Sequence, residues 1–380
     1  MITAKAAVQF IQQGTRLGQM LAWCESQKAA DLHAQAERPY TIRVDGKLIR
    51  LDANEFPPMT QEEFYAAFAE NFTADAVDAI RRRREHDLSF YHGGNRYRAN
   101  FSKQKGTQSF SFRFVPQQTK TLHELHLPES LGAIVDELRG LVIVSGATGQ
   151  GKSTTARALL QRVNTQRAVR IVTIEDPIEF VFEDAQAQFE QREVGIDTDT
   201  FANGIRNAMR QDPNILLVGE MRDRESIYAA IQAAETGHMV LTTLHADSTS
   251  QAIGRLRMFY PTNEQENVSA LLSRNLKAVV TQRLIPAVSG ERIPCLEILR
   301  VDLGAQQAVA KNELHLLDGI IESAVGQGMH SFDQYLIELI AAGRVTEEVA
   351  RRYAVNRHRL DLMLRGIVTN AAILKRDKSR

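Results

Sequence analysis

Cysteine is nearly absent from the 380-residue chain: Cys24 and Cys295 stand alone in sequence, which excludes a disulfide framework and a paired-cysteine zinc site and favours a reducing compartment. Long apolar runs are missing too. The longest candidate for a membrane span, residues 131–147, is interrupted by Asp136, Glu137 and Arg139, well short of what a bilayer core requires. Residues 1–23 mix polar and apolar side chains without the compact hydrophobic run of a secretory leader. Charge of either sign is not in excess, with 46 Lys plus Arg against 46 Asp plus Glu, so there is no global basic field of the kind that polyanion binding uses. No repeat, low-complexity tract or aromatic–basic stretch is present. These absences describe a cytoplasmic protein that is not expected to hold nucleic acid stably.

What is present centres on residues 141–155, Leu-Val-Ile-Val-Ser-Gly-Ala-Thr-Gly-Gln-Gly-Lys-Ser-Thr-Thr. Four apolar residues fit a short buried strand, and Ala156, Leu159, Leu160 and Val163 then recur at helical spacing. Between them, Gly146 to Ser153 is a glycine, four residues, then Gly-Lys-Ser, the pattern of a phosphate-binding loop. Gly146, Thr148, Gly149, Gln150, Gly151 and Thr154 belong to this nucleotide cradle. Small loop residues let backbone N–H groups converge on an anion at the positive end of the following helix. Lys152 is placed to reach the β- and γ-phosphates, and the Ser153 hydroxyl to ligate Mg²⁺.

The rest of the chain divides around that loop. Residues 1–30 carry a helical apolar spacing, and residues 39–51 alternate around Asp45-Gly46 as a hairpin. Two helical stretches, 60–72 and 74–84, precede strand patterns at 88–91, 97–101 and 110–115, so residues 31–116 read as a small α+β domain. The run Arg81 to Arg84 reads first as a solvated helix end. A polar linker follows at 117–130. From 131 to 380 the pattern is α/β, with strands at 169–174, 215–218 and 239–244 alternating with helices in the manner of a parallel sheet. Beyond Pro261 it turns mainly helical, and the charged end, Lys375 to Arg380, is expected to fray.

Hydrolysis needs acids beside the nucleotide as well as a cradle. Ile-Leu-Leu-Val-Gly-Glu (215–220) resembles a Walker B segment in which Gly219 stands where aspartate is common and Glu220 supplies the acid and a contact to Mg²⁺. Thr-Ile-Glu-Asp-Pro-Ile-Glu (173–179) places three carboxylates after another strand, and His238 and His245 bracket the strand between them. Parallel sheets gather ligands at the C-terminal ends of their strands, so these ends are expected to converge on the phosphate loop.

Taken together, Gly-Ala-Thr-Gly-Gln-Gly-Lys-Ser-Thr-Thr (146–155), Thr-Ile-Glu-Asp-Pro-Ile-Glu-Phe (173–180), Arg-Gln-Asp-Pro-Asn-Ile-Leu-Leu-Val-Gly-Glu-Met-Arg-Asp (210–223) and Ala-Glu-Thr-Gly-His-Met-Val-Leu-Thr-Thr-Leu-His (234–245) resemble the Walker A, Asp box, atypical Walker B and His box of the secretion ATPase superfamily. Within it the resemblance is to the PilT-like retraction ATPases and the DotB/TraJ-like ATPases of type IVB secretion and conjugation. It implies a RecA-like domain preceded by a PAS-like α+β domain, ATP and Mg²⁺ as cofactors, and a homo-hexamer. The implied partners are inner-membrane platform proteins and other cytoplasmic secretion ATPases, with peripheral membrane association compatible. It also implies that Glu220 polarises or positions water, that Glu179 supports the same step, and that His238 and His245 sense the γ-phosphate or couple it to the neighbouring subunit. Arg98 and Arg113 are the small-domain arginines expected to reach phosphate. Residues 301–319 lack the family's usual C-terminal retraction signature. The expected activity is ATP hydrolysis that powers a secretion, conjugation or pilus machine; the alternatives are a nucleic-acid translocase and a nucleotide-gated assembly module.

Overall fold

The computed structural model describes residues 9–44, 46–116 and 119–367. Outside them lie the start of the expected N-terminal helical segment, Asp45 of the hairpin turn, the first two linker residues and the charged end Lys375 to Arg380. The chain divides into two compact units. The first comprises Met1–Gln118 with Asp176–Glu183 and Arg192–Asp199; the second comprises Thr119–Glu175, Asp184–Gln191 and Thr200–Arg380.

In the first unit β1 (Gln9–Phe10) leads to α1 (Arg16–Ser26), β2 (Asp31–Gln35) and the antiparallel hairpin of β3 (Thr41–Val44) and β4 (Lys47–Arg50). Helices α2 (Gln61–Ala69) and α3 (Ala74–Arg82) precede the meander of β5 (Glu85–His92), β6 (Asn95–Gln104) and β7 (Thr107–Val115). The seven strands run in the order β1-β5-β6-β7-β2-β3-β4. Residues 9–26, whose spacing suggests a separate helical segment, thus supply a strand and a helix to this unit, and Ile11, Leu17, Met20 and Leu21 enter its core. Two-residue alternation explains the division of faces. Tyr97, Ala99 and Phe101 of β6 and Phe110 and Phe112 of β7 point into an aromatic core with Phe64, Phe68 and Phe72, while Arg96, Arg98, Ser111 and Arg113 occupy the other face. Thr60 opens α2 with a capping box closed by Glu63. Thr73 caps α3, which ends in Arg81 and Arg82 as the helix dipole favours.

The second unit begins with a short helix, α4 (Gly132–Val135), then β8 (Gly140–Ser145), α5 (Lys152–Gln166), β9 (Arg170–Glu175) and β10 (Gln188–Glu193), whose last two residues belong to the first unit. It continues through α6 (Phe201–Ala208), β11 (Ile215–Val218), α7 (Arg224–Glu235), β12 (Met239–Leu244), α8 (Thr249–Met258) and α9 (Gln265–Asn275). Two long strands follow, β13 (Leu276–Pro286) and β14 (Arg292–Arg300), and then α10 (Leu303–Ala310), α11 (Leu317–Ser323), α12 (Phe332–Ala341), α13 (Glu347–Tyr353) and α14 (Arg357–Leu364). The sheet order is β10-β9-β11-β12-β8-β13-β14. β9, β11, β12, β8 and β13 are parallel neighbours, and β14 turns back antiparallel on β13. Every residue of β8, β11 and β12 is buried, as strands covered on both faces require.

The mainly helical reading beyond Pro261 is corrected by β13 and β14. Their mixed residues, such as Lys277, Thr281, Gln282 and Arg283, hide the strand period, and β13 is held by pairing with β8, far away in sequence. Among the described residues no helix is long and apolar enough to cross a membrane.

Phe68 is fully buried, with ring centroids of Phe101 at 5.1 Å and Phe110 at 5.7 Å. Phe68→Ala is expected to destabilise the first unit by about 3–5 kcal/mol. Trp23, the single tryptophan, packs on the same core, so its fluorescence in a urea titration measures the loss.

Candidate functional site

In-register parallel pairing brings the chemistry together. Ser145 at the end of β8 lies opposite Leu244 at the end of β12, and Val218 at the end of β11 lies opposite Thr242 of β12 and Ile174 of β9. The chain leaving β8 is the phosphate loop, that leaving β11 carries Glu220, and that leaving β12 carries His245.

The loop is shaped by close backbone approach. A Cβ at Gly146 would lie 2.4 Å from the Gln282 carbonyl oxygen, and one at Gly151 would lie 2.8 Å from Gln282 Nε2, with both residues at positive φ. Only glycine fits. Gln282, on β13, supports the loop from below: its Nε2 donates to Gln150 O at 2.7 Å and its Oε1 accepts from Thr155 Oγ1 at 2.6 Å. The Gln150 side chain answers by accepting from Leu284 N at 2.6 Å. Gly151, in the left-handed conformation, opens α5 without a side-chain cap, so the first N–H groups of that helix are left for an anion.

Lys152 is 7% exposed, and its ammonium donates to the carbonyls of Gly146 at 2.9 Å and Ala147 at 3.0 Å. It also lies 3.3 Å from His245 Nδ1. Because an ammonium can only donate, Nδ1 is the acceptor and the ring proton sits on Nε2, which is 3.4 Å from Glu220 Oε1. The other carboxylate oxygen of Glu220 accepts from Arg222 Nε at 2.8 Å. Lysine, imidazole, carboxylate and guanidinium therefore form one chain across three strand ends. Burial, and next the Lys152 ammonium, hold His245 below its ordinary value of 6.5 against the opposing pull of Glu220. The imidazole is thus neutral near pH 7. Arg255 anchors it by donating to its backbone carbonyl at 2.7 Å.

Gly219, where aspartate is the common residue, has a steric reason. Its N–H donates to Ile174 O at 2.8 Å, and a Cβ there would stand 3.3 Å from that oxygen and 3.4 Å from Glu175 Cα. A larger side chain would have to push β9 aside. Thr243 Oγ1 fixes the same peptide by donating to Gly219 O at 2.6 Å.

The family described as type II/IV secretion system protein matches residues 111–315, more than half the chain. This chain belongs to that family of secretion ATPases. The type IV pilus retractation ATPase PilT of Pseudomonas aeruginosa is 37% identical over 337 residues, which is 88% of this chain and 97% of the relative. Among solved structures, the pilus retraction motor PilT with bound ADP superposes with a TM-score of 0.82 at 32% identity, covering 91% of this chain and 99% of that one. The Legionella pneumophila ATPase DotB shares the fold, with a TM-score of 0.70 at 24% identity over 91% of this chain and 99% of its own. In this secretion ATPase the second unit is accordingly the RecA-like domain, and the first is its smaller N-terminal α+β domain.

Of the residues expected beside the phosphate loop, His238 lies at the other end of its strand, and Glu179, Arg98 and Arg113 belong to the first unit. His238 precedes β12, and its Nδ1 lies 3.0 Å from Ala233 O. At about 3.3 Å per residue, an extended strand of this length holds it at the end opposite Lys152, so this chain's own fold does not bring it to the phosphate loop. Glu179 lies in the first unit, where Arg98 Nη1 pairs with it at 3.2 Å. Arg113, paired across the sheet with Arg98, is held by Asp31 at 2.6 Å. Both arginines line a cavity of about 270 Å³ on the polar face of the first sheet, with Asp176, Asn100 and Glu193. Glu175, the remaining carboxylate of the Asp box, is buried and accepts from Thr173 Oγ1 at 2.7 Å and Gln191 Nε2 at 3.2 Å.

The supporting roles of Gln282, Thr155, Thr243 and Arg222 are not foreseen from the sequence. Gln282 lies in a region whose pattern reads as helical; Arg222, two residues beyond Glu220, lies within the Walker B-like stretch and is the one a local signal could have found.

A histidine held below its ordinary value binds its proton more readily when the chain unfolds. The stability this contributes is present above pH 6.5 and is lost as the pH falls toward the lower folded value. Calorimetric unfolding from about pH 8 to about pH 5 is expected to be less pH-dependent in His245→Gln than in the parent. The difference between the two proteins separates His245 from His33 and His330, which are also lowered by burial.

Proposed function

We propose that this chain is a hexameric traffic ATPase that hydrolyses Mg·ATP in the cytoplasm to power a type IV pilus or a related secretion or conjugation machine at the inner membrane. The observation that carries the reading is the chain of close polar contacts from Lys152 through His245 to Glu220, set on a phosphate loop in which Gly146 and Gly151 leave no room for a Cβ. The names of the relatives, a pilus retractation ATPase and an ADP-bound retraction motor, support the choice of nucleotide and machine. Inner-membrane platform proteins and other cytoplasmic secretion ATPases are the partners that follow from it.

In this reading the loop N–H groups and the N-terminus of α5 bind the phosphates, and Lys152 exchanges its loop carbonyls for phosphate oxygens. Gly146, Thr148, Gly149, Gln150, Gly151 and Thr154 shape the cradle. Glu220 orients and polarises the attacking water, and Arg222 and His245 hold its two oxygens. The neutral imidazole of His245 links the state of Lys152 to that of Glu220, so that a change at the phosphate is felt at the acid. Glu179, Arg98 and Arg113, all residues of the first unit, are those to which the family resemblance gives a further part in hydrolysis and phosphate binding.

The donor set suits Mg²⁺, which is held by few protein oxygens and several from substrate and water. The Ser153 hydroxyl at the start of α5 and the Glu220 carboxylate are hard donors, and Mg²⁺ bound between them and the nucleotide would neutralise charge on the β- and γ-phosphates.

Steady-state phosphate release checks the proposal. Lys152→Ala is expected to abolish turnover. Glu220→Gln is expected to retain nucleotide binding while lowering kcat about 10²- to 10³-fold. Native turnover in a folded Lys152→Ala protein would refute the assigned site.

A further inference from the structure

The polar face of the first unit's sheet holds a buried ion pair that the proposed chemistry leaves unused. Arg96 and Glu193 have side chains only 5% and 3% exposed, and Arg96 Nη2 donates to Glu193 Oε2 at 2.5 Å. Both oxygens of the carboxylate accept hydrogen bonds. Ser89 Oγ of β5 donates to it at 3.1 Å, and the backbone N–H of Ile178 donates to Oε2 at 3.1 Å. Arg96 is steadied in turn by donating from Nη1 to Tyr91 Oη at 3.0 Å.

Two features of this arrangement point past stability. First, Arg96 and Arg98 are two apart on β6 and so project from the same face; one grips Glu193 and the other Glu179. Second, Ile178, whose N–H Glu193 accepts, is the immediate neighbour of Glu179. The Arg98–Glu179 pair is 33% and 45% exposed, and a pair so open to water holds little by itself. In the buried pair beside it, desolvation offsets much of the attraction, so the pair is weak evidence of stabilisation, and the best-attested use of such a pair is to specify one geometry.

We propose that Arg96 and Glu193 are positioning residues that clamp residues 176–183 to β5 and β6 and thereby set the location of Glu179. The segment and the clamp belong to the same compact unit although β9, which precedes the segment, belongs to the other. Glu179 is therefore held within the small unit. The inference rests on the reading that Glu179 serves hydrolysis, and its test keeps the two claims apart.

Glu193→Gln keeps an acceptor for Ile178 and removes the charge that Arg96 needs. In the full chain, amide exchange across residues 176–183 is expected to accelerate at least about tenfold, with the phosphate loop unchanged. kcat is expected to fall about tenfold or more while KM for ATP moves less than about threefold, the split that marks lost positioning rather than lost binding. Arg96→Lys, which keeps the charge but reaches fewer partners, is expected to fall between the parent and Glu193→Gln, and it replaces that variant if the latter does not fold. Native exchange across 176–183 in a folded variant overturns the clamp. Accelerated exchange with native kcat upholds the clamp and removes Glu179 from hydrolysis, which Glu179→Gln checks independently.

Discussion

Register between parallel strands is the constraint on which the site depends. Ser145 and Leu244 end β8 and β12 side by side, and β11 ends at Val218, opposite Thr242, two residues before the end of β12, so three loops distant in sequence leave the same edge of one sheet and their side chains come within about 3.5 Å of one another. The strands are wholly buried, and slipping any of them by one residue would turn its side chains to the opposite face. Lys152, His245 and Glu220 are thus held by hydrophobic packing well below them. The polar chain they form is short, charged at both ends and only partly buried, and would not assemble without that support.

Close approach between backbones is the second determinant. Gly146 and Gly151 let β13 press against the phosphate loop, and Gly219 lets the end of β11 lie against β9. At each place the missing side chain leaves room for a close neighbour: the Gln282 carbonyl at Gly146, the Gln282 amide at Gly151 and the Ile174 carbonyl at Gly219, which accepts from the Gly219 N–H. The atypical acidic motif follows from this: where β9 and β11 crowd together, the acid sits one residue later, on Glu220, and Thr243 fixes the intervening peptide. Gln282 completes the arrangement by meeting the loop with both ends of one amide, which leaves neither group unsatisfied in a buried site.

The first unit is built on different physics. Its core is a cluster of phenylalanines behind a mostly antiparallel sheet, and its opposite face is polar, with Asp31, Arg96, Arg98 and Arg113 engaged in ion pairs. Two segments that follow β9 in the chain belong to it. The Asp box is therefore divided: Glu175 ends a strand of the RecA-like unit and Glu179 belongs to the small one.

Structure was legible in the sequence wherever the signal is local. The strand, glycine loop and helix at 141–166, the capped helices at 61–82, the β3–β4 hairpin and the strands at 170–175, 215–218 and 239–244 follow from period, turn residues and apolar runs. Residues 276–300 were not legible, because mixed polar and apolar residues become strands there only through pairing with β8. By itself, the sequence determined that a phosphate loop exists, that Glu220 and His245 follow buried strands, and that the chain resembles secretion ATPases. Tertiary structure alone decided that His245 and not His238 meets Lys152, that Gln282 carries the loop, and that Glu179 belongs with Arg98. The physical reason is that spacing along a chain sets which face and which end a residue occupies, whereas contact between strands distant in sequence depends on sheet order and register, which no local pattern contains.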